Sequence, residues 1–181
     1  DFPDLHYRAL MLDIVRNYYP VDSIQRVLDV MAQYKLNVLH LHLSDDEAWR
    51  LEIPSLPQLT DIGSKRGYTT DESECLLPMY CGGWDANANT TANGYITREE
   101  YIDLLKYAKE RHIRIIPEID MPGHMRAAKK AMGNLLTDSA FDTRVYKSAQ
   151  NYTDNVINVS MPYAIEFVDH VITEIVKMHQ E

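Results

Sequence analysis

Basic residues are scarce in this chain: 18 Lys and Arg stand against 27 Asp and Glu, for a net charge of −9 over 181 residues. A nucleic-acid partner requires a basic face, and no basic stripe breaks the acidic balance, so that class is excluded. No apolar run approaches the ~20 residues that span a bilayer, and the first residues lack the charged-then-apolar order of a leader. The expectation is a soluble chain, already processed or excised, with no membrane partner. No glycine-rich phosphate loop follows any apolar run, which weighs against nucleotide binding. Only two cysteines occur, Cys75 and Cys81. Their spacing around a proline permits a small disulfide and equally fits two free thiols, and it fixes no compartment.

What is present centres on residues 37–49, NVLHLHLSDDEAW. Leu39, Leu41 and Leu43 alternate with Val38, His40 and His42, the period of two that a strand requires. Asp45 and Asp46 follow the run, and in parallel α/β folds ligands gather at the C-terminal ends of strands. A first strand is read over 8–14. After Pro20, Asp22 or Ser23 can cap a helix whose apolar face is Ile24, Val27, Leu28 and Met31. Strand, helix and strand 37–43 make a right-handed βαβ unit. Residues 44–96 are rich in turn formers and read as one long substrate-side loop with a mobile tip at 85–94. Thr97 and Glu100 form a capping box for a helix reaching Arg111, and residues 114–119 form a third strand that ends in EIDMPGH. The stretch 127–158 shows no clear period, and a last helix carries Ile165, Val168, Ile172, Ile175 and Val176. With 45% hydrophobic residues the chain can bury one sizeable core. The fold class is α/β: about the first three βα units of a (β/α)8 TIM barrel, with a small open doubly wound sheet as the alternative.

Polar residues at the strand ends carry the functional reading. Arg16 is either a surface ion-pair partner or, from its strand end, a binding group. Adjacent carboxylates at Asp45 and Asp46 repel, so a site that keeps both needs cationic or hydrogen-bonding partners. His124 with Asp120 and Asp45 can form a carboxylate–imidazole relay that orients a catalytic acid. His40 and His42 either fill a barrel interior or, with His124, make a metal pair and third ligand.

Together the segments resemble a known family. Residues 9–53, ALMLDIVRNYYP through SDDEAWRLEI, resemble the start of the catalytic barrel of glycoside hydrolase family 20, the β-N-acetylhexosaminidases. YTTDESECLLPMYCGG and IPEIDMPGH are similar to its next two signatures, with wording closest to the bacterial chitobiase branch. The resemblance implies exo-hydrolysis of terminal β-linked N-acetylglucosamine or N-acetylgalactosamine with retention, by a substrate-assisted route that needs neither a protein nucleophile nor a cofactor. Arg16 would then clamp sugar hydroxyls, Asp45 and His124 would be hydrogen-bonded toward the acid, and Asp120 would sit in the same network. The family's Asp–Glu pair belongs to an HxGGDE-like motif after the fourth strand, and no such motif occurs in these 181 residues. The partners implied are an N-acetylhexosamine-containing oligosaccharide and the C-terminal part of the barrel. Residues 1–181 would be the N-terminal portion of that barrel. The setting implied is secreted or periplasmic, or lysosomal in a eukaryote, and it favours a Cys75–Cys81 bridge. Two other classes stay open: a non-catalytic carbohydrate-binding remnant, and a metal-dependent barrel hydrolase using His40 and His42.

Overall fold

A computed structural model describes residues 2–137 and 145–181. Three strands run parallel: β1 (Ala9–Asp13), β2 (Val38–Asp45) and β4 (Arg114–Ile119), with β2 between the other two. Met11 pairs with His40, and His40 with Ile116, so corresponding strand ends lie side by side. Helix α1 (Val21–Gln33) connects β1 to β2, and α3 (Arg98–Glu110) precedes β4. The three βα units expected from the apolar periods are therefore present. No described helix is long and apolar enough to cross a membrane.

The leucine face of β2 sets the core. Leu39, Leu41 and Leu43 are fully buried with Ile24, Leu28 and Met31 of α1 and Tyr101, Leu104 and Ala108 of α3. Each of the leucine, isoleucine and methionine side chains contributes roughly 1.5–3 kcal/mol of transfer free energy, an upper estimate for a real unfolded chain. His40 and His42 lie on the opposite face of the strand, where His42 is buried among polar groups. The capping box of α3 forms as its sequence requires: Thr97 Oγ1 accepts from the Glu100 N–H at 3.2 Å, and the Glu100 carboxylate accepts from the Thr97 N–H at 2.8 Å.

Several elements differ from the sequence reading. Helix α1 begins at Val21 after Pro20, with no side-chain cap from Asp22 or Ser23, because both lie inside the first turn. Strand β2 runs on to Asp45, so that carboxylate is the last residue of the strand and not part of the loop. The 44–96 loop has structure. Strand β3 (Ala48–Trp49) turns back antiparallel on the end of β2, helix α2 (Gln58–Asp61) follows, and isolated bridges join Leu51 to Ile96 and Arg66 to Leu76. The 85–94 tip is tied down: Tyr18 N–H donates to the Thr91 carbonyl at 2.7 Å, and Ala92 is buried. Within 127–158, helix α4 (Arg126–Met132) and a 3-10 turn (Gly133–Leu135) are present, while residues 138–144 of that stretch lie outside the described residues. In helix α5 (Pro162–Met178) the expected apolar face is only partly covered: Ile175 is buried and Val168 half-buried, Ile165, Ile172 and Val176 are exposed, and the buried stripe is Ala164, Phe167, Val171, Ile175 and Met178.

Two buried arginines organise the loop. Arg50 gives all five of its N–H donors to carbonyls: Nε to Ile14, Nη1 to Ser64 and Gly94, and Nη2 to Val15 and Ala92, at 2.7–3.1 Å. Arg66 gives Nε to the Glu47 carbonyl at 3.0 Å, Nη1 to the Arg16 and Met79 carbonyls, each at 3.1 Å, and Nη2 to that of Val15. A guanidinium is weakly hydrated, which makes it the cation best suited to such burial.

Candidate active site

The C-terminal ends of β1 and β2 bring Asp13, Arg16, His42 and Asp45 together with Glu47. Asp13 ends β1, and its Oδ1 accepts from the N–H groups of Val15 and Arg16 at 2.8 and 3.1 Å, which turns the chain so that Arg16 swings over the strand end. The Arg16 guanidinium then meets Asp45 Oδ2 through Nη2 at 2.6 Å, Glu47 Oε2 through Nε at 2.9 Å and Asp13 Oδ2 through Nη1 at 3.2 Å. Burial alone would lower its pKa, but Glu47, Asp45 and Asp13 raise it above the usual value. Burial works against Asp45 ionising too, yet His42, the Asp46 N–H and Arg16 hold its carboxyl below the ordinary aspartate range. Burial pushes Glu47 up, with Arg16 opposing the shift.

Asp45 also joins this cluster to the end of β4. His124 Nδ1 lies 3.0 Å from Asp45 Oδ1 and 3.2 Å from Asp46 Oδ2. Its backbone is left-handed, with φ of 53°, in the turn after Gly123. Asp46 is fully buried and held by the Arg126 N–H at 3.1 Å and Asn155 Nδ2 at 2.9 Å, so the repulsion expected between adjacent carboxylates is met by separate donors. Burial lowers the His124 pKa, but Asp45, Asp46 and Asp120 together raise it, favouring imidazolium. Asp120 is anchored through its N–H to Ser44 Oγ at 3.1 Å. Burial pushes its carboxyl up; His42 opposes this, while Asp45 and Glu118 add to the rise. Arg16, Asp45, Asp120 and His124, the four residues singled out from sequence, therefore share one electrostatic cluster.

The histidine triplet does not assemble. His40 Nε2 lies 2.7 Å from Glu118 Oε2, and His42 lies between Glu118 and Asp45, with Nδ1 2.9 Å from the first and Nε2 3.1 Å from the second. Among the described residues, metal-compatible groupings are instead His42 with Glu118 and Asp120, and Asp45 with Asp46 and His124, each offering ligand atoms within 4.8 Å of one another. His40 is drawn to Glu118, while His42 and His124 meet the two oxygens of the Asp45 carboxylate, Oδ2 and Oδ1, so a carboxylate stands between the imidazoles. The Cys75–Cys81 bridge is likewise not formed: both thiols are free, Cys75 buried and Cys81 exposed with Sγ 3.1 Å from Asn17 Oδ1.

Sequence reasoning passed over Asp13, Glu47 and Glu118, although each had a signal. Asp13 stands three residues before Arg16 at a strand end, Glu47 continues the Asp45–Asp46 run, and Glu118 opens the EIDMPGH segment. Arg66 had none, since its place behind Arg16 comes from a contact 50 residues away.

Comparison with known proteins adds a second line. Residues 5–181 match the family model described as glycosyl hydrolase family 20, catalytic domain. The chain is 44% identical to the N,N'-diacetylchitobiase of Vibrio harveyi and 41% identical to a beta-hexosaminidase of Vibrio vulnificus, in each case over its whole length. It spans 22% and 23% of those relatives. Among solved structures, the family 20 exo β-N-acetylglucosaminidase of Vibrio harveyi in complex with N-acetylglucosamine superposes with a TM-score of 0.89 at 44% identity, covering 98% of this chain and 26% of that one. A Streptomyces plicatus beta-hexosaminidase bound to its product N-acetylglucosamine gives 0.73 at 32% identity, covering 97% and 31%.

Proposed function

Because the chain belongs to glycosyl hydrolase family 20 and its three βα units are part of that family's TIM barrel, we propose that it supplies one side of the sugar site of an exo-acting β-N-acetylhexosaminidase. The substrate class is an oligosaccharide or glycan ending in β-linked N-acetylglucosamine or N-acetylgalactosamine. The observation that carries this reading is the Asp45 carboxylate shared between Arg16 at 2.6 Å and His124 at 3.0 Å at the end of a barrel strand.

In that role each group has a defined task. Three carboxylates already engage the Arg16 fork, so it is fixed in direction before substrate arrives, and its remaining Nη2 N–H is free to donate to a sugar hydroxyl. Asp13 and Glu47 offer acceptor oxygens beside it. His124 is oriented through Nδ1 by Asp45 and Asp46, leaving Nε2 to meet the carboxyl that protonates the leaving oxygen. The Asp120 carboxyl, pushed up by burial and by Asp45 and Glu118, lies beside this pair with His42 and Glu118. The attacking group would be the substrate's own acetamido oxygen, with inversion at two successive steps giving net retention. The Asp–Glu pair that orients the acetamide and protonates the leaving group would come from the rest of the barrel.

The test is an assay of the complete protein with aryl N-acetyl-β-glucosaminide and with the aryl β-glucoside that lacks the acetamido group. Turnover of the first alone, with the β-anomer of the product appearing first by NMR, is expected. Equal turnover of both would overturn the substrate-assisted reading. A polypeptide of these 181 residues alone should turn over neither, because loss of the general acid raises the barrier by roughly 3–5 kcal/mol.

A further inference from the structure

Residues 154–157, from the stretch without a sequence period, brace the turn that carries His124. Asp154 pairs with Arg126 Nε at 3.3 Å and with Lys130 Nζ at 2.9 Å. The Asn155 carbonyl accepts from the Met125 N–H at 2.9 Å, the Val156 carbonyl accepts from Lys129 Nζ at 2.9 Å, and Ile157 N–H donates to the Pro122 carbonyl at 3.0 Å. The left-handed turn at His124 is therefore held before and after the histidine by one distant segment. From that brace the Asn155 side chain reaches the candidate site, where its Nδ2 donates to Asp46 Oδ2 at 2.9 Å. Asn155 and Asp46 are 2% and 0% exposed, so the described residues already bury both, and further chain can only deepen that burial. The same Asp46 oxygen lies 3.2 Å from His124 Nδ1, whose other acceptor is Asp45 Oδ1 at 3.0 Å. One ring N–H thus faces two carboxylates, and the better acceptor is the one whose charge is less compensated by other donors. Asp45 is compensated by Arg16 and His42; Asp46 meets the Arg126 backbone N–H and the Asn155 amide.

We propose that Asn155 is a positioning residue for glycoside cleavage: by occupying Asp46 Oδ2 it leaves Asp45 as the main acceptor of the His124 Nδ1–H, and so fixes where the imidazole Nε2 points. This rests on the function proposed above. Asn155 touches neither Asp45 nor His124 in any recorded contact and acts through Asp46. Without the amide, Asp46 Oδ2 loses its neutral donor and draws the imidazole away from Asp45. The ring then turns, Nε2 turns with it, and the carboxyl that protonates the leaving oxygen loses its oriented partner. The brace makes the arrangement specific, because the Asn155 carbonyl holds the residue after His124 while its side chain holds the carboxylate in front of it.

The experiment compares the complete protein with its Asn155→Leu, Asp46→Asn and doubly substituted variants on two substrates. Chitobiose has a leaving alcohol that needs a proton, and 2,4-dinitrophenyl N-acetyl-β-glucosaminide has a leaving group that departs without one. For Asn155→Leu, which removes the donor at nearly constant volume, kcat/KM on chitobiose is expected to fall about tenfold, part of the ~10²–10⁴ that a general acid contributes, with the dinitrophenyl substrate little changed. In the Asp46→Asn background the same substitution should add nothing further, because Asn155 acts through Asp46. An equal loss on both substrates, additive losses in the double variant, or no loss with thermal unfolding as in the parent would each overturn the proposal. If Asn155→Leu does not fold, Asn155→Ala takes its place in the same assays, and failure of both to fold makes the residue structural and overturns the proposal. If the parent hydrolyses neither substrate, the proposed function fails by itself. Crystal structures of the complete parent and Asn155→Leu then decide the inference: His124 Nδ1 moved from Asp45 to Asp46 upholds it, and an unmoved ring refutes it.

Discussion

Arg16 and Arg50 lie at opposite extremes of what the fold does with a guanidinium. Arg16 is partly open to solvent and faces three carboxylates, which raise its pKa. Arg50 is fully buried, meets five carbonyls and no carboxylate, and is pushed down to about 9 by burial and by neighbouring Arg66, which still leaves it charged at neutral pH. A cation paired with carboxylates at a strand end can exchange those partners for a ligand. A cation that saturates carbonyls has no such freedom: it serves as a peg on which the ends of β1, the Ser64 turn and the 92–94 segment hang together. The same residue type therefore divides into a group poised for binding and a group committed to structure, and the partner atoms tell which is which.

The sharpest way to break this contrast is to remove the peg. Arg50→Met should leave the carbonyls of Ile14, Ala92 and Gly94 without their donor, since Val15 keeps Arg66 and Ser64 keeps the Gly94 N–H, at a cost of ~4 kcal/mol or more, read as a collapse of thermal stability and of amide protection over residues 50–96. A loss under ~1 kcal/mol would mean that Arg50 is not the organiser described here. Next in size is Arg16→Lys. An ammonium cannot reproduce the planar fork, so kcat/KM of the complete enzyme should fall about 100-fold, or ~2.7 kcal/mol, while the melting temperature stays within a few degrees. Unchanged kinetics would remove Arg16 from the site.

A smaller effect comes from pH. His124 is raised above its unfolded value, and so is His42, where Asp45, Glu118 and Asp13 outweigh burial. Both therefore contribute stability that is fully present below the unfolded pKa of ~6.5 and is lost as pH rises through the raised folded values. After solvent screening the His124 share should be under ~1 kcal/mol. Melting temperature measured across that window should decline, and His124→Asn should flatten part of the slope. A slope of opposite sign would overturn the assignment of imidazolium at Asp45. The smallest effect tests whether the loop is held by the arginines without covalent help. Thiol titration without reductant should find Cys81 reactive in the native protein and Cys75 only after denaturation, two thiols in all; finding none would restore the bridge.

Much of the frame was legible locally. The β2 alternation, the face of α1, the Thr97–Glu100 box and β4 are each written in a short window, because side-chain period and capping chemistry act over a few residues. Other elements were not. Helix α4 shows no apolar stripe, since Arg126 and Lys129 are buried along with its alanines: Arg126 pairs with Glu72 and Asp154, and Lys129 Nζ donates to the Val156 carbonyl at 2.9 Å. A pattern reader takes such residues for a solvent face. Strand β3 has two residues and exists only because Ala48 and Trp49 find Asp45 and Ser44 opposite them. The 44–96 stretch read as a loop for the same reason, as its order comes from Arg50 and Arg66 reaching carbonyls far along the chain.

By itself the sequence determined the order β1, α1, β2, α3, β4 and α5, the parallel βα architecture and the polar residues Arg16, Asp45, Asp120 and His124 at or after the strand ends, because periodicity and position in a βα unit constrain where polar groups can emerge. Tertiary structure alone decided that Asp13 and Glu47 share Arg16, that His40 and His42 meet Glu118 while His42 and His124 share Asp45, and that the two cysteines stay apart. Those outcomes depend on side-chain distances that periodicity does not encode: Glu47 reaches Arg16, and Glu118 reaches His40 and His42, only because the fold lays distant segments side by side.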